Sequence, residues 1–170
     1  VVNKKFLFTY ILEHKENSLL SFQRQKNDDT ITSPQFIDRC GVFQRVYSLC
    51  FAGNNMYIFY TRINNMRYQL GYKVFNPNTE RWSEFSSVFE NSTGNSILSV
   101  SSDRYKNIHL WWQNHSASEY KLMYSVMNAV SGKWSKVKIL DSSVYGYNPA
   151  SHIILGKNIV FCHVSGQDIF

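Results

Sequence analysis

The densest run of chemically capable side chains in this 170-residue chain is Trp111-Trp112-Gln113-Asn114-His115, followed downstream by Tyr145 and Tyr147. Indole and phenol rings stack on the apolar faces of sugars, and side-chain amides bond their hydroxyls, so this set suits carbohydrate binding. Arg62, two residues after Tyr60, adds a guanidinium able to grip a carboxylate. Arg62, Asn114, His115, Tyr145 and Tyr147 are therefore the candidate ligand-binding residues. Cleaving a glycoside would need two carboxylates flanking the bond. The 12 Asp and Glu residues fall mostly in turn-like segments, where solvation accounts for them, and spacing singles out no catalytic residue. The 5 histidines, His14, His109, His115, His152 and His163, show neither HxxxH nor HExxH spacing, so no metal site and no cofactor is expected. Phosphate-loop, dinucleotide and nucleophile-elbow motifs are absent.

The elements that must position these residues come from composition and periodicity. Aromatic residues make up 16% of the chain and charged residues 18%, against about 25% charged in an average soluble domain. Such a chain has the apolar content to offset ordering entropy, which excludes disorder. Its length suggests one domain, residues 1–170. The net charge is +6, but the basic residues are dispersed, the densest cluster being Lys133, Lys136 and Lys138. A mildly basic surface favours acidic partners. The basic stripe of a nucleic-acid footprint is not visible, so no nucleic-acid partner is expected. No apolar run approaches ~18 residues, so no membrane span is expected. The start, VVNKKFLFTYIL, lacks a cleavage site and reads as a first strand rather than a signal peptide. Cys40, Cys50 and Cys162 show no metal spacing; Cys50 and Cys162 read as buried thiols, and a Cys40–Cys50 disulfide stays open.

Three sets of landmarks recur with one period. Phe6–Tyr10, Met56–Tyr60, Ile108–Trp112 and Ile159–His163 begin 50 (6 to 56), 52 (56 to 108) and 51 (108 to 159) residues apart. Leu20-Ser21-Phe22, Leu70-Gly71-Tyr72 and Leu122-Met123-Tyr124 repeat at 50 and 52, and Trp82-Ser83 and Trp134-Ser135 at 52. Each unit reads as four strands. In the second they are Val46–Ala52, Met56–Arg62, Leu70–Phe75 and Trp82–Phe85, with Gly53-Asn54-Asn55 and Asn76–Thr79 as turns. In the third they are Ser96–Ser101, Ile108–Asn114, Lys121–Met127 and Trp134–Ile139. No window holds a 3.6-residue apolar period, so little helix is expected. The second strand is apolar on both sides, with Met56, Ile58 and Tyr60 on one and Tyr57 and Phe59 on the other, which places its sheet between two others.

Four-stranded antiparallel units of ~50 residues stacked face to face describe an all-β β-propeller. The blades would span about 1–45, 46–94, 95–144 and, in part, 145–170. VFNPNTERWSEF and SVMNAVSGKWSKV resemble the kelch blade segment, although Tyr60-Thr61, Trp112-Gln113 and His163-Val164 stand where kelch blades carry Gly-Gly. Ser131-Gly132-Lys133-Trp134 resembles the Asp-box turn of sialidase-like and lectin-like bacterial propellers. The sialidase-like resemblance implies an arginine cluster and a tyrosine nucleophile, and Tyr60 with Arg62 is the fragment that matches. The kinship with packing positions gives the aromatics a second reading: Trp111 and Trp112 stand where Phe59 and Tyr60 stand, and His109 where Tyr57 stands.

A little over three blades is fewer than the 4–8 of a ring. Either further blades exist or copies assemble, since an open blade edge or face is adhesive. The expected function is a non-catalytic binding or assembly module that presents propeller loops to a protein or glycan partner. Ile63–Arg67 and His115–Glu119 vary between units while the strands stay alike, which marks them as the presenting loops. A sialidase-like glycoside hydrolase or a lectin is the alternative. An extracellular or cell-surface setting is the expectation for localisation. In a secretory setting, Asn91-Ser92-Thr93 and Asn114-His115-Ser116 are glycosylation sequons.

Overall fold

The computed structural model describes residues 7–14, 17–25, 30–40, 47–147, 151–155 and 158–162; Phe6, Val46, His163 and Phe170 lie outside these. The described chain is all-β and antiparallel, with no helix among the described residues. The first sheet joins β1 (Leu7–His14), β2 (Asn17–Arg24) and β3 (Gln35–Cys40) in that order. The second joins β4 (Tyr47–Ala52), β5 (Asn55–Asn64), β6 (Arg67–Asn76) and β7 (Arg81–Trp82), and β8 (Ser86–Asn91) also pairs with β6. The third runs β9 (Gly94–Ser102), β10 (Ile108–His115), β11 (Tyr120–Met127) and β12 (Lys138–Ser143). A hairpin of β13 (Ser151–Leu155) and β14 (Asn158–Cys162) follows. None of these sheets closes into a barrel among the described residues.

Aromatic and β-branched residues favour the strands, and the turns between them use left-handed backbone. Gly53 (φ 64°) turns β4 into β5; Asn65 (φ 47°) and Met66 (φ 60°) form the two-residue turn from β5 to β6. The alternation of β5 then sets the layers. Met56, Ile58 and Tyr60 pack with Leu20, Phe22 and Ile37 of the first sheet. Phe59 and Leu70 face the other way, onto Ile97, Ile108, Leu110 and Trp112 of the third. The second sheet is thus buried on both faces, as the two-sided apolar pattern of Met56–Tyr60 requires. Burying each such Leu, Ile or Phe side chain stabilises the stack by about 1.5–3 kcal/mol. The far face of the third sheet has its own cluster, Leu98, Trp111, Leu122 and Tyr147.

The outer strands differ from the sequence expectation. Trp82–Phe85 is not one strand: β7 stops at Trp82 and β8 starts at Ser86. Ser83 is the cause. Its N–H donates to Val74 O at 2.8 Å while its Oγ accepts from Val74 N at 2.9 Å, so one residue makes both bonds that a continuing ladder would spread over two. Ser135 repeats this with Val126, at 2.8 and 3.1 Å, and Trp134 makes only an isolated bridge to Met127 before β12 begins at Lys138. The outer strands then carry a bulge at matching places. The register shifts at Leu20/Ser21, at Leu70/Gly71 and at Leu122/Met123. Gly71 is demanded by this geometry, because a Cβ there would run into the Ser86 carbonyl and the Phe85 ring.

Cys40 and Cys50 are both buried thiols, and the disulfide left open by the sequence is not formed. Burial raises both thiols, Cys50 to about 11, and keeps them protonated. The side chain of Cys162 lies outside the described residues.

Candidate functional site at the hairpin end

Antiparallel pairing brings the β5–β6 and β10–β11 hairpin tips and the β8–β9 turn to one end of the second and third sheets. An amide ladder fastens them. Asn95 Nδ2 donates to Asn91 Oδ1 at 2.9 Å and to the Tyr68 carbonyl at 3.4 Å. Asn114 Nδ2 is in reach of Asn95 Oδ1 at 3.0 Å, Thr93 Oγ1 at 2.9 Å and Gly94 O at 3.0 Å. Asn95 is fully buried and Asn114 nearly so. Asn114 is therefore committed to the frame and shielded from a glycosylating enzyme or a ligand. Its role is to hold the end of β10 against the turn before β9.

Arg62 is also framed. Its guanidinium lies 3.8 Å above the Phe85 ring, its Nε donates to Gln69 Oε1 at 2.9 Å, and Nη1 is 3.5 Å from Asp38 Oδ2. Gln69 continues to Glu90 at 2.6 Å, and Glu90 pairs with Arg67 at 2.7 Å. Asp38, on β3 of the first sheet, receives the Tyr60 hydroxyl and has Lys73 Nζ 3.8 Å away. Lys73 Nζ also donates to the Ile37 carbonyl at 3.0 Å. Tyr60 is fully buried. Burial foremost, then its bond to Asp38 and the charge of that carboxylate, raises the Tyr60 phenol far above its usual range. A nucleophile must shed its proton, and this phenol holds it; Tyr60 acts here as a hydrogen-bond donor between sheets.

Two aromatic side chains at this end are available to a partner. His115 is exposed and stacks on Tyr120, with ring centroids 4.4 Å apart and planes 13° from parallel. Tyr145 is 56% exposed, and its backbone N–H is held by Ser143 Oγ at 3.1 Å. Tyr147, in contrast, is buried, with its N–H donating to Gln113 Oε1 at 2.8 Å. Burial first, then the neighbouring Asp141 carboxylate, raises its phenol to about 12. Ile63 (46% exposed) and Met66 (90% exposed) mark the tip of the neighbouring hairpin. The structure thus gathers Arg62, Asn114, His115, Tyr145 and Tyr147 at one end, and leaves His115 and Tyr145 on the surface.

Trp111 and Trp112 are buried packing residues, in keeping with the repeat positions they occupy. His109 packs beside the rings of Trp111 and Tyr124, which touch each other at 5.3 Å, with Nδ1 2.8 Å from Tyr124 Oη and Nε2 3.3 Å from Asp103 Oδ2. No group of acidic, His and Cys residues suits a metal ion among the described residues. No helix there is long and apolar enough to cross a membrane. Sequence reasoning missed Asp38, Gln69 and Asn95. Asp38 stands one residue past the bulge of its outer strand, and Phe89 stands at the same point in the second sheet and contacts Trp112 at 5.4 Å. Aligning outer strands with the strands that face them would have found it. No protein-family model matches the chain, and no curated protein matches it.

Proposed function

We propose that this chain is a non-catalytic binding module built as part of a β-propeller, which presents its hairpin end to a glycan or protein partner. Face-to-face stacking of antiparallel sheets with an outer-strand bulge at matching positions supports the propeller reading. The observation that carries the binding role is the contrast at the hairpin end. Asn91, Asn95, Asn114, Arg62 and Glu90 are used up by the frame, while His115, stacked on the half-buried Tyr120, and Tyr145 lie outside it. Rigid exposed aromatic rings on a fixed frame lose little entropy on binding and suit sugar faces or peptide side chains. The sialidase-like alternative draws support from the proximity of Tyr60, Arg62 and Asp38. The buried, protonated phenol weighs against it.

A glycan array and a panel of fluorogenic glycosides separate these readings. The expected result is binding without turnover, weakened about tenfold or more in His115→Ala with Tyr145→Ala, as for aromatic anchors worth ≥ ~1 kcal/mol. Turnover that disappears when a single Asp or Glu is replaced would overturn the binding-only reading.

A further inference from the structure

The opposite end of the second and third sheets carries three adjoining grooves. The largest, about 550 Å³, is walled by Asn54, Asn76, Asn78, Thr79, Arg81 and Trp82. The next, about 270 Å³, shares Asn54 and Asn55 with it and is closed by Lys106 and Ala129. The third, about 420 Å³, is lined by Asn107, Asn128, Lys133 and Trp134, and Asn107 Oδ1 accepts the Ala129 N–H at 2.9 Å, which joins it to the second. Each groove contributes one cation, and none of Arg81, Lys106 and Lys133 has a carboxylate partner among the described residues. Two carboxylates beside the grooves are engaged elsewhere: Glu80 pairs with Arg24, and Asp103 accepts from Tyr105 and Asn107 N–H groups and faces His109. At the hairpin end the reverse holds, with Arg62, Arg67 and Lys121 each beside an acid.

We propose that these grooves form one continuous track for an acidic, carboxylated polysaccharide strand. Arg81, Lys106 and Lys133 pair with its carboxylates, and the Asn54 and Asn78 amides, with the Nδ2 groups of Asn76 and Asn128, bond its hydroxyls. The charge spacing favours this polymer. Packed sheets lie roughly 10 Å apart, so Arg81 and Lys133, each one residue before the tryptophan of its own sheet, match every second carboxylate of a strand that carries one on each sugar. A nucleic-acid strand carries one charge per ~3.4 Å. It also needs free aromatic faces for its bases; the tryptophan rings lining the grooves are spent on the core, and the exposed Tyr105 ring is covered by the Arg104 guanidinium 4.7 Å from its centre. Trp82 packs on Phe22 and Phe75 at 5.6 and 5.2 Å, and Trp134 on Phe59 and Tyr72 at 6.1 Å each. The track uses surface that the hairpin-end binding role leaves untouched, so either can fail without the other.

Isothermal titration with polygalacturonate, neutral dextran and single-stranded oligodeoxythymidylate tests the track. Polygalacturonate is expected to bind, more weakly as salt is raised, and dextran is not. Arg81→Gln, Lys106→Gln and Lys133→Gln are each expected to weaken binding about two- to fivefold, as for exposed ion pairs, and the triple variant to lose it. Lys121→Gln and His115→Ala, at the other end, are expected to leave it unchanged. The three substituted side chains line open grooves, and an unchanged urea midpoint confirms that the triple variant is folded. No binding of polygalacturonate, equal binding by the triple variant, or tighter binding of the oligonucleotide would each overturn the proposal.

Discussion

Asp38 fastens two sheets with one carboxylate. It takes the hydroxyl of fully buried Tyr60, and Arg62 and Lys73 stand within 3.5 and 3.8 Å of its Oδ2. Removing the phenol oxygen leaves a shielded carboxylate one donor short, so Tyr60→Phe is expected to destabilise the fold by about 1–2 kcal/mol, measured as a shift of urea midpoint at constant slope. Asp103 makes a pH-dependent contribution. Burial opposes its ionisation, but hydrogen bonds from Asn107, His109 and the Asn107 and Tyr105 backbone outweigh this and lower its pKa. A depressed carboxyl stabilises the fold fully above its unfolded value of about 3.9, and the contribution is lost as pH falls through the lower folded value. Asp103→Asn is therefore expected to flatten the acid limb of the stability–pH curve, while an unchanged limb would remove Asp103 from this role.

At the scale of elements, the hairpins were legible and the outer strands were not. The two-sided apolar run Met56–Tyr60 told which residues share a face and that both faces are covered, because strand alternation leaves no other arrangement. Trp82-Ser83 and Trp134-Ser135 read as strand starts because Trp favours strands. The interruption comes from a serine hydroxyl bonding a backbone N–H, which no hydrophobic pattern records. In the candidate site, the sequence picked out Arg62, Asn114, His115, Tyr145 and Tyr147 by side-chain chemistry rather than by position. It could not tell Asn114, which faces the ladder, from His115 one residue later, because that depends on which side of β10 the β8–β9 turn lies. The bulge at Leu70/Gly71 supplies the prediction proper to this scale. Gly71→Ala forces a methyl group against the Ser86 carbonyl and the Phe85 ring. Overpacking of this kind is expected to cost about 2–3 kcal/mol, and thermal unfolding of the variant measures it; a loss under ~0.5 kcal/mol would show that β8 can move aside.

At the scale of the whole molecule, the layers follow one rule: an outer-strand side chain meets the second strand of the next sheet, Asp38 on Tyr60 and Phe89 on Trp112. Tyr47 adds a bond from its hydroxyl to the Thr9 carbonyl, at 2.6 Å, across the first such interface. In the proposed propeller, repeating the rule would add sheets around an axis, and the sheets among the described residues, the first, the second, the third and the β13–β14 hairpin, are fewer than the 4–8 complete blades that close a ring. The proposed propeller therefore needs further sheets, and in the isolated chain only copies of itself can supply them. Multi-angle light scattering of the purified 170-residue chain is the direct test. The expected result is a concentration-dependent assembly at multiples of 19.9 kDa. A folded species that stays at 19.9 kDa across the concentration range would contradict the incomplete ring.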